Sequence, residues 1–544
     1  MTIVPRTIRT AARVAVAFSA VSMAATAQEG SAARRIGSGV AAANPRTGAP
    51  ETRIAAGYEL RPVAQGGDLL ENPSGPARLF GYLDDGPDPS VGCSVRSKTE
   101  PDEHTYLILD HNPGGPAPGY DYGRHFLYQG HERSGFRSFV TRINLDVTDP
   151  AHRITLLTPF GADGTTGLDQ MDGSTWNPFS RTLLFTMEAD ANGGVLEVTA
   201  GWPAIARTLY GSIGRGGYEG IHPDDRGTLL LAEDHSGTKV NVVRGDPGSP
   251  RQARQPAGFM YRFVPADSSD LGAGGRLQAL QVWVDGEPVV FHAADPVGDV
   301  FSDAQLALHT PGTSWPARWI TVHDTAVEGD APFDANLAAR TEGATPFKRP
   351  ENAQYLPGSG FNTFFFAPTG DTNLDAGSRP ELAARGAWGA IFRVDLPAHA
   401  KEDGVFGSIS IVVLGDREHN SFDNLAFADA TTLLVAEDRG DTLHRQLNVL
   451  DSVWAYDVRR PGDPPGRFIA LGRDPDSALN AACVDAGVAG FPNDGDNEPT
   501  GLHVSEGDDS VQGMQGKPPN PEKARWFVTQ QHGLNVVYEI ARVK

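Results

Sequence analysis

Short apolar runs that stop at acidic, histidine, glycine or asparagine residues recur along this chain. Two of them are almost the same phrase: GTLLLAED ends at Asp234 and TTLLVAED ends at Asp438. Related runs are RTLLFTMEAD from Arg181, ARWITVHDTA from Ala317, NTFFFAPTGDTN from Asn362, ARWFVTQQHG from Ala524 and a weaker copy, HTYLILDHNPGG, from His104. Short runs of this composition, bounded by turn residues, are typical of buried β-strands.

The apolar runs are periodic. The runs at Leu183, Leu229, Ile320 and Phe364 follow a period of roughly 45 residues, with one unit skipped before Ile320. Phrases such as GFMYRFV and GAIFRVD often follow within a few tens of residues and look like further strands of the same unit. This pattern predicts an all-β fold, a β-propeller with six or seven blades, and a stack of β-sandwich domains is the alternative. In a propeller, one strand end of every blade converges on a single axis.

The composition narrows the class of function. The chain has 544 residues, of which 63 are Gly and 41 are Pro, which favours many turns over long helices. The formal net charge of −22 argues against nucleic acid or an anionic membrane as the main partner. Clustered carboxylates are compatible with metal ions, which would offset their charge.

The N-terminus resembles a secretory signal peptide. Arg6, Arg9 and Arg13 precede an apolar run that is too short to span a bilayer, and small residues follow up to Gln28. An amphipathic N-terminal helix is the alternative. We therefore expect a signal peptide over residues 1–27, a disordered linker over 28–59, a propeller over 60–544, and a secreted or periplasmic protein without a membrane span. The two cysteines, Cys93 and Cys483, either form a disulfide or are separate buried thiols.

Several acidic residues stand where turn chemistry does not explain them. The candidates are Glu188 in LLFTME, Glu219 in GRGGYEGIH, Glu351 in FKRPENAQY, Asp423 in SFDNLAF and Glu498 in DNEPTGLH. If they converge, they cannot all stay ionised without a counter-charge, and calcium is the hard cation that suits oxygen ligands. The alternative is that the Asp residues are ordinary turn residues. Weaker ligand candidates end the repeated runs: Glu233, Asp234, Glu437 and Asp438.

A cation accompanies one of these acids. Arg349 precedes Glu351 by two residues, so on an extended strand both side chains point the same way. Arginine is the usual fork for a phosphate or carboxylate, and an exposed Arg–Glu pair is the alternative. The sequence contains no Gly-x-Ser-x-Gly, phosphate-loop, His-Glu-x-x-His or Cys-x-x-Cys motif.

In these motifs the sequence resembles the PhoX family of exported, calcium-dependent alkaline phosphatases, which are β-propellers. The resemblance runs from about residue 60 to the end, as motifs in the same order rather than as close identity. It rests on LLFTMEAD, GGYEG, GFMYRFVPADSSDL, FKRPENAQY, FDNLAF and NEPTGLHVSEGD followed by WFVTQQHG.

The resemblance implies a site and an activity. Glu188, Glu219, Glu351 and Glu498 would be metal ligands, Arg349 would bind the phosphoryl group, and a small phosphate ester would be hydrolysed. The family combines calcium with iron, and one iron ligand is a Cys. Here that segment has no Cys and contains Met171 and Asp172, so Asp172 could supply an oxygen ligand but no thiolate is present. The alternatives are a calcium-binding propeller without catalysis and a calcium-dependent, lactonase-like hydrolase. The oligomeric state has no signal in the sequence.

Overall fold

We describe the fold from a computed structural model of the chain. It describes residues 52–83, 98–398, 403–447, 449–472, 498–514, 516–531 and 535–543. The expected signal peptide, Cys93 and Cys483 lie outside these residues. Strands begin at Arg53, before the expected domain start at residue 60, because Arg53–Ile54 pairs with Gly466–Ala470.

The described residues form mainly antiparallel β-strands. The strands of the first half are β1 (Arg53–Ile54), β2 (Tyr58–Ala64), β3 (Leu69–Ser74), β4 (Ala77–Leu79), β5 (Pro101–Ile108), β6 (His125–His131), β7 (Phe139–Asn144), β8 (Ile154–Leu156), β9 (Met171–Asn177), β10 (Thr182–Met187), β11 (Gly194–Thr199), β12 (Ala206–Thr208), β13 (Tyr218–Pro223), β14 (Leu229–Glu233), β15 (Lys239–Asn241) and β16 (Arg251–Arg254). The others are β17 (Met260–Pro265), β18 (Gly275–Val284), β19 (Glu287–Pro288), β20 (Ser314–Asp324), β21 (Pro350–Tyr355), β22 (Thr363–Pro368), β23 (Ala390–Asp395), β24 (Gly407–Leu414), β25 (Phe422–Phe427), β26 (Thr432–Glu437), β27 (Ser452–Asp457), β28 (Gly466–Ala470), β29 (Glu498–Ser505), β30 (Arg525–Gln531) and β31 (Val536–Arg542).

Consecutive strands pair as antiparallel meanders. β5–β8 and β9–β12 each form a four-stranded sheet. β13, β14, β17 and β18 pair in that order, as do β21–β24, and the long strand β20 joins these two groups by pairing with both β18 and β24. β25–β28 form a further meander with β1 on its outer edge, and β29–β31 form another with β2 on its outer edge.

The first strands of these meanders surround one axis. β5 packs against β9, β9 against β13, β13 against β21, β21 against β25, β25 against β29, and β29 against β5. This ring of neighbours gives an all-β, propeller-like arrangement, as the sequence predicts. It is closed by β2, from near the N-terminus, which pairs with the C-terminal strand β31.

The repeated apolar runs are mostly the second strands of the meanders. The runs at Leu183, Leu229 and Phe364 lie in β10, β14 and β22, where every residue is buried. If the runs were equivalent, all of them would be second strands, but two are not. Ile320 lies in β20, an outer strand with several half-buried residues, and His104 lies in the first strand β5. An apolar run of this length marks a strand but does not fix its place in the sheet.

Apolar clusters fill the space between neighbouring meanders. Tyr128 of β6 and Phe185 of β10 belong to one cluster, and Leu184 of β10 and Leu231 of β14 belong to the next. A second strand therefore packs on both faces, which explains its lack of polar alternation. Burial of this kind is the main favourable contribution to folding.

The described helices are short and lie between strands. They are α1 (Pro296–Val300), α2 (Asp303–Leu308), α3 (Thr325–Glu328), α4 (Ala335–Glu342), α5 (Leu374–Gly377), α6 (Pro380–Ala383) and α7 (Gly440–Leu447), with 3-10 turns at Pro150–His152, Asp190–Asn192, Leu271–Ala273 and Val511–Gly513. Among the residues described, no helix is long and apolar enough to cross a bilayer.

Candidate metal centre

Acidic residues occupy the same position in five of the first strands. Each is the second residue of its strand: Asp102 in β5, Asp172 in β9, Glu219 in β13, Glu351 in β21 and Asp423 in β25. Glu498 is the first residue of β29. Because the first strands surround one axis, these carboxylates meet at one end of the ring.

A local distortion accompanies these acids. Where each of the five strands pairs with its second strand, the register shifts at the residues around the acid, as between Pro350 and Asn352 on either side of Glu351. Such bulges bend a strand and re-aim a side chain. In four of the five, the residue two positions before the acid has a left-handed backbone: Glu100 (φ 51°), Gln170 (φ 43°), Arg349 (φ 56°) and Ser421 (φ 53°). Non-glycine residues rarely adopt this conformation, and it clusters at functional sites.

A second set of acids directly follows the second strands. Glu132 follows β6, Glu188 follows β10, Asp234 follows β14 and Asp438 follows β26. The last residue of each of these strands pairs with the first residue of the neighbouring first strand, as in His131 with Pro101. The second set therefore lies at the same end of the ring as the first.

Three overlapping groups of carboxylates result. They are Asp102 with Glu132 and Asp172, then Asp172 with Glu188 and Glu219, then Glu219 with Glu351 and Asp423. In each group, one carboxylate oxygen of every member lies within 4.8 Å of the others. Asp172 and Glu219 each belong to two groups, so the three groups form one continuous acidic centre.

The electrostatics of this centre are unfavourable without a counter-charge. Burial, reinforced by neighbouring carboxylates, raises the pKa of Asp172, Glu188 and Glu219 well above the ordinary range. The pKa values of Glu351 and Asp423 are also raised well above it, chiefly by burial. Like charges this close cannot all ionise.

Several oxygens of the acidic centre have no hydrogen-bond donor. Within the described residues, Glu219 Oε2, Glu351 Oε2 and Asp234 Oδ1 are buried and have no hydrogen-bond partner. A buried carboxylate oxygen without a donor is costly unless a cation binds it. Oxygen-only ligands, several of them charged, suit a hard divalent cation such as Ca²⁺. The residues present therefore fit a metal ion.

Arg349 lies inside the acidic centre. Its Nε donates to Asp234 Oδ2 at 2.8 Å and its Nη2 lies 2.8 Å from Glu351 Oε1. Burial opposes the charged guanidinium, but Asp234 and Glu351 outweigh it and raise the pKa of Arg349 well above its ordinary value. The side chain is largely buried, so this is not the exposed surface pair that the sequence left open.

Most of the acids singled out from the sequence come together here. Glu188, Glu219, Glu351, Asp423 and Asp172 are members of the three groups. Glu498 is half-buried at the start of β29 and belongs to none of them, although it pairs across the sheet with Gln531, whose Nε2 donates to Asp102 Oδ2 at 2.9 Å.

Sequence reasoning missed Asp102 and Glu132. Asp102 lies two residues before the weak copy of the repeat that begins at His104, and burial raises its pKa to about 7. Glu132 follows β6, a strand that none of the apolar runs identified. The signal that could have found both is positional: an acid stands at or next to the start of each first strand, and another directly follows four of the second strands.

The two acids that end each repeated run, Glu and then Asp, have different roles. Glu233 is buried and accepts hydrogen bonds from Tyr261 Oη and Asn336 Nδ2, both at 2.9 Å. Asp234 turns instead toward Arg349. In the equivalent sheet, Glu437 accepts from Arg439 Nη2 at 2.7 Å. The glutamates therefore support the sheets.

This support can be measured at Tyr261. Tyr261→Phe removes the donor to Glu233 and is expected to lower the free energy of unfolding by about 1–2 kcal/mol. Tyr456→Phe is the matched control, because Tyr456 is also buried in a third strand but its Oη has no hydrogen-bond partner in the described structure. Denaturant unfolding of both variants makes the comparison, and equal losses would contradict this role of Glu233.

The opposite end of the ring has a different chemistry. It opens into a cavity of about 100 Å³ whose lining includes Trp176, His222, Gln354 and His503, together with the charged residues Glu506, Asp508 and Lys517. Burial lowers the pKa of His222 to about 3 and that of His503 to about 4, so both are uncharged at neutral pH. The two histidines therefore add no positive charge to this end of the ring at neutral pH.

The fold and this centre define a class: an all-β protein of propeller-like arrangement whose axis holds a carboxylate cluster with an embedded arginine. The model of the family described as alkaline phosphatase PhoX matches residues 251–462 of this chain. The match confirms the PhoX-type resemblance that the motifs predict.

Solved structures resemble the fold at low sequence identity. Pseudomonas fluorescens PhoX, in complex with the transition-state analogue vanadate, is 14% identical, with a TM-score of 0.52 over 92% of this chain and 97% of that one. An auxiliary nutrient binding protein from Bacteroides thetaiotaomicron is 9% identical, with a TM-score of 0.34 over 90% of this chain and 77% of that one. A comparison with curated protein sequences found no significant match.

Proposed function

We propose that this chain is a metal-dependent phosphoesterase that hydrolyses phosphate monoesters at the acidic centre. One observation carries the proposal: a buried arginine lies among carboxylates that have unpartnered oxygens. Carboxylates that can hold cations, next to a guanidinium, are the parts that phosphoryl transfer needs, because that reaction depends on positioning and charge stabilisation.

The proposed ligands are carboxylates of the acidic centre. They are Asp172, Glu188, Glu219, Glu351 and Asp423, with Glu498 as an additional ligand from β29. Bound hard cations supply Lewis-acid activation of the phosphoryl oxygens and of the attacking water. We propose calcium, because these donors are oxygens. Met171, which stands in the segment where the family has its cysteine, is buried in an apolar cluster and offers no thiolate to iron.

Arg349 would orient the phosphoryl group. Its Nε and Nη2 are engaged by Asp234 and Glu351, while its Nη1 makes no hydrogen bond within the described residues. The two carboxylates fix the guanidinium plane, and Nη1 is left to donate to an equatorial phosphoryl oxygen. The left-handed backbone at Arg349 sets the direction from which the side chain enters the centre.

The proposal extends to the number of blades and to the location of the protein. We infer six blades, one for each first strand of the ring, with β2 completing the last. We also infer that residues 1–27 are a signal peptide and that the mature chain works outside the cytoplasm as a secreted or periplasmic enzyme. The positive residues before a short apolar run support this inference.

An assay tests the proposed function. The purified mature chain is incubated with p-nitrophenyl phosphate in calcium and then in excess chelator. Calcium-dependent release of p-nitrophenol that is absent from Glu351→Ala and retained by Glu539→Gln is expected. Glu539 pairs with Arg525 away from the centre, at 2.7 Å, so it controls for loss of a carboxylate. No turnover with calcium or other divalent metals would contradict the proposal.

A further inference from the structure

A small hairpin outside the meanders lies beside the acidic centre. β15 and β16 pair only with each other and follow β14 by a short loop. One face of the hairpin is anchored, because Val240 and Ala253 are directly opposite and both belong to an apolar cluster. The adjacent pair, Lys239 opposite Arg254, projects from the other face because side chains alternate along a strand.

The pairing of Lys239 with Arg254 is unusual. Like charges directly opposite each other destabilise an antiparallel pair. Neither residue has a carboxylate oxygen within 4.0 Å among the described residues. The nearby carboxylate Asp371 offsets their charge only in part, because its Oδ2 also binds Lys348 Nζ at 3.0 Å and its Oδ1 accepts from the backbone N–H of Arg254.

The cationic face of the hairpin is held next to Arg349. Arg254 Nη1 donates to the carbonyl oxygen of Ser236, which is two residues after Asp234, the partner of Arg349. Arg254 Nε is buried without a hydrogen-bond partner in the described part of the chain. Burial, and then Arg349, lowers the pKa of Arg254, and both arginines lower the pKa of Lys239 after burial. Three cations therefore gather at one side of a centre that is otherwise acidic.

We propose that Lys239 and Arg254 form an anion site next to Arg349 that holds a second anionic group of the substrate. The proposal rests on the proposed function and names its substrate class: phosphate monoesters whose leaving group carries a carboxylate or a further phosphate. A protein of net charge −22 repels such substrates more than neutral-tailed ones. A preference for the more anionic ester would therefore need a local cationic site.

A matched pair of substrates isolates this effect. Glycerol 3-phosphate and 3-phosphoglycerate differ in a CH₂OH group replaced by a carboxylate. The wild-type chain with calcium is expected to favour 3-phosphoglycerate about tenfold in kcat/KM, as one charge-assisted hydrogen bond would give. Lys239→Gln is expected to remove most of this preference and leave glycerol 3-phosphate within about twofold. Arg244→Gln is the control, because it removes the same charge from the turn of the same hairpin.

A binding measurement tests the anion site independently of the proposed phosphoesterase activity. Calorimetry of both compounds on the calcium-loaded protein, in wild type and Lys239→Gln, needs no turnover. Tighter binding of 3-phosphoglycerate that Lys239→Gln abolishes supports the anion site even if neither ester is hydrolysed, and then only the phosphoesterase is wrong. Equal binding and equal kcat/KM for the two compounds in the wild type would overturn the anion site. So would an equal loss of preference in Arg244→Gln.

Discussion

Arg349→Ala is expected to lower kcat/KM for p-nitrophenyl phosphate about a thousandfold, because it removes the only arginine bound directly to carboxylates of the acidic centre in the described structure. It also leaves Asp234 and Glu351 without their cation, which is expected to lower the free energy of unfolding by about 3–5 kcal/mol when no metal is bound. Steady-state kinetics at saturating calcium, normalised to the folded fraction, is the measurement. Arg349→Lys keeps the charge but cannot donate to both carboxylates at once, so an intermediate rate is expected.

A second buried arginine provides the matched control. Arg439 donates to Glu437 Oε1 and lies 3.0 Å from Asp451 Oδ1, away from the three carboxylate groups. Arg439→Ala is therefore expected to destabilise the fold by a similar amount, with kcat/KM per folded molecule within about threefold of wild type. An equal fall in kcat/KM in the two variants would mean that Arg349 is only structural.

Removing the metal is expected to make stability fall as the pH rises. The pKa values of the acidic centre are raised in the folded chain, with Asp102 at about 7. Between pH 4 and these raised values the folded state holds protons that the unfolded state has released, so the free energy of unfolding decreases with increasing pH. We expect the Tm of chelated protein to drop by about 5 °C between pH 5 and pH 8. Calcium should abolish the drop, and a Tm that does not change with pH would contradict it.

Glu219→Gln tests, at one residue, whether buried negative charge destabilises the metal-free protein and binds the metal ion. Glu219 belongs to two of the carboxylate groups, and no ion pair of Glu219 is present in the described structure. Without metal at pH 8, the variant is expected to gain about 1–3 kcal/mol because one buried charge is removed. With calcium it is expected to bind the ion about 100-fold more weakly. Glu539→Gln, the same change at a partly exposed pair, should shift stability by at most about 1 kcal/mol under both conditions.

The class of the fold could be predicted from the sequence because buried strands leave a strong pattern of repeated apolar runs. Second strands such as β10 and β22 are buried on both faces, so they contain uninterrupted apolar runs that repeat with the meander. The same signal misplaced Ile320, since β20 is long enough to pair with two groups and contains a similar run. Apart from the weak run at His104 in β5, the first strands gave no comparable pattern, because their residues face one another across the axis and include polar side chains.

The candidate site could be predicted only in part. Glu351 and Arg349 stand out because a Glu after Arg-Pro is not a turn residue. Asp102 and Glu132 do not, because their importance comes from strand register and from the bulge that turns Asp102. The sequence also did not predict the hairpin pair: Lys239 and Arg254 lie in two short strands with no apolar run, and only the observed pairing puts them opposite each other.

The pairing of β2 with β31 closes the ring, and it determines the stage of folding at which the acidic centre can form. β2 lies near the N-terminus and its partner β31 is the last strand described, so a chain that is synthesised N-terminus first has an unpaired β2 until β31 is made. Exposed strand edges of this kind pair with other chains, which makes the nascent state prone to aggregation. The carboxylates of the centre come from strands spread over most of the sequence. They are therefore brought together in the finished molecule rather than during synthesis, so a metal ion that binds there would be acquired late, after the chain has folded.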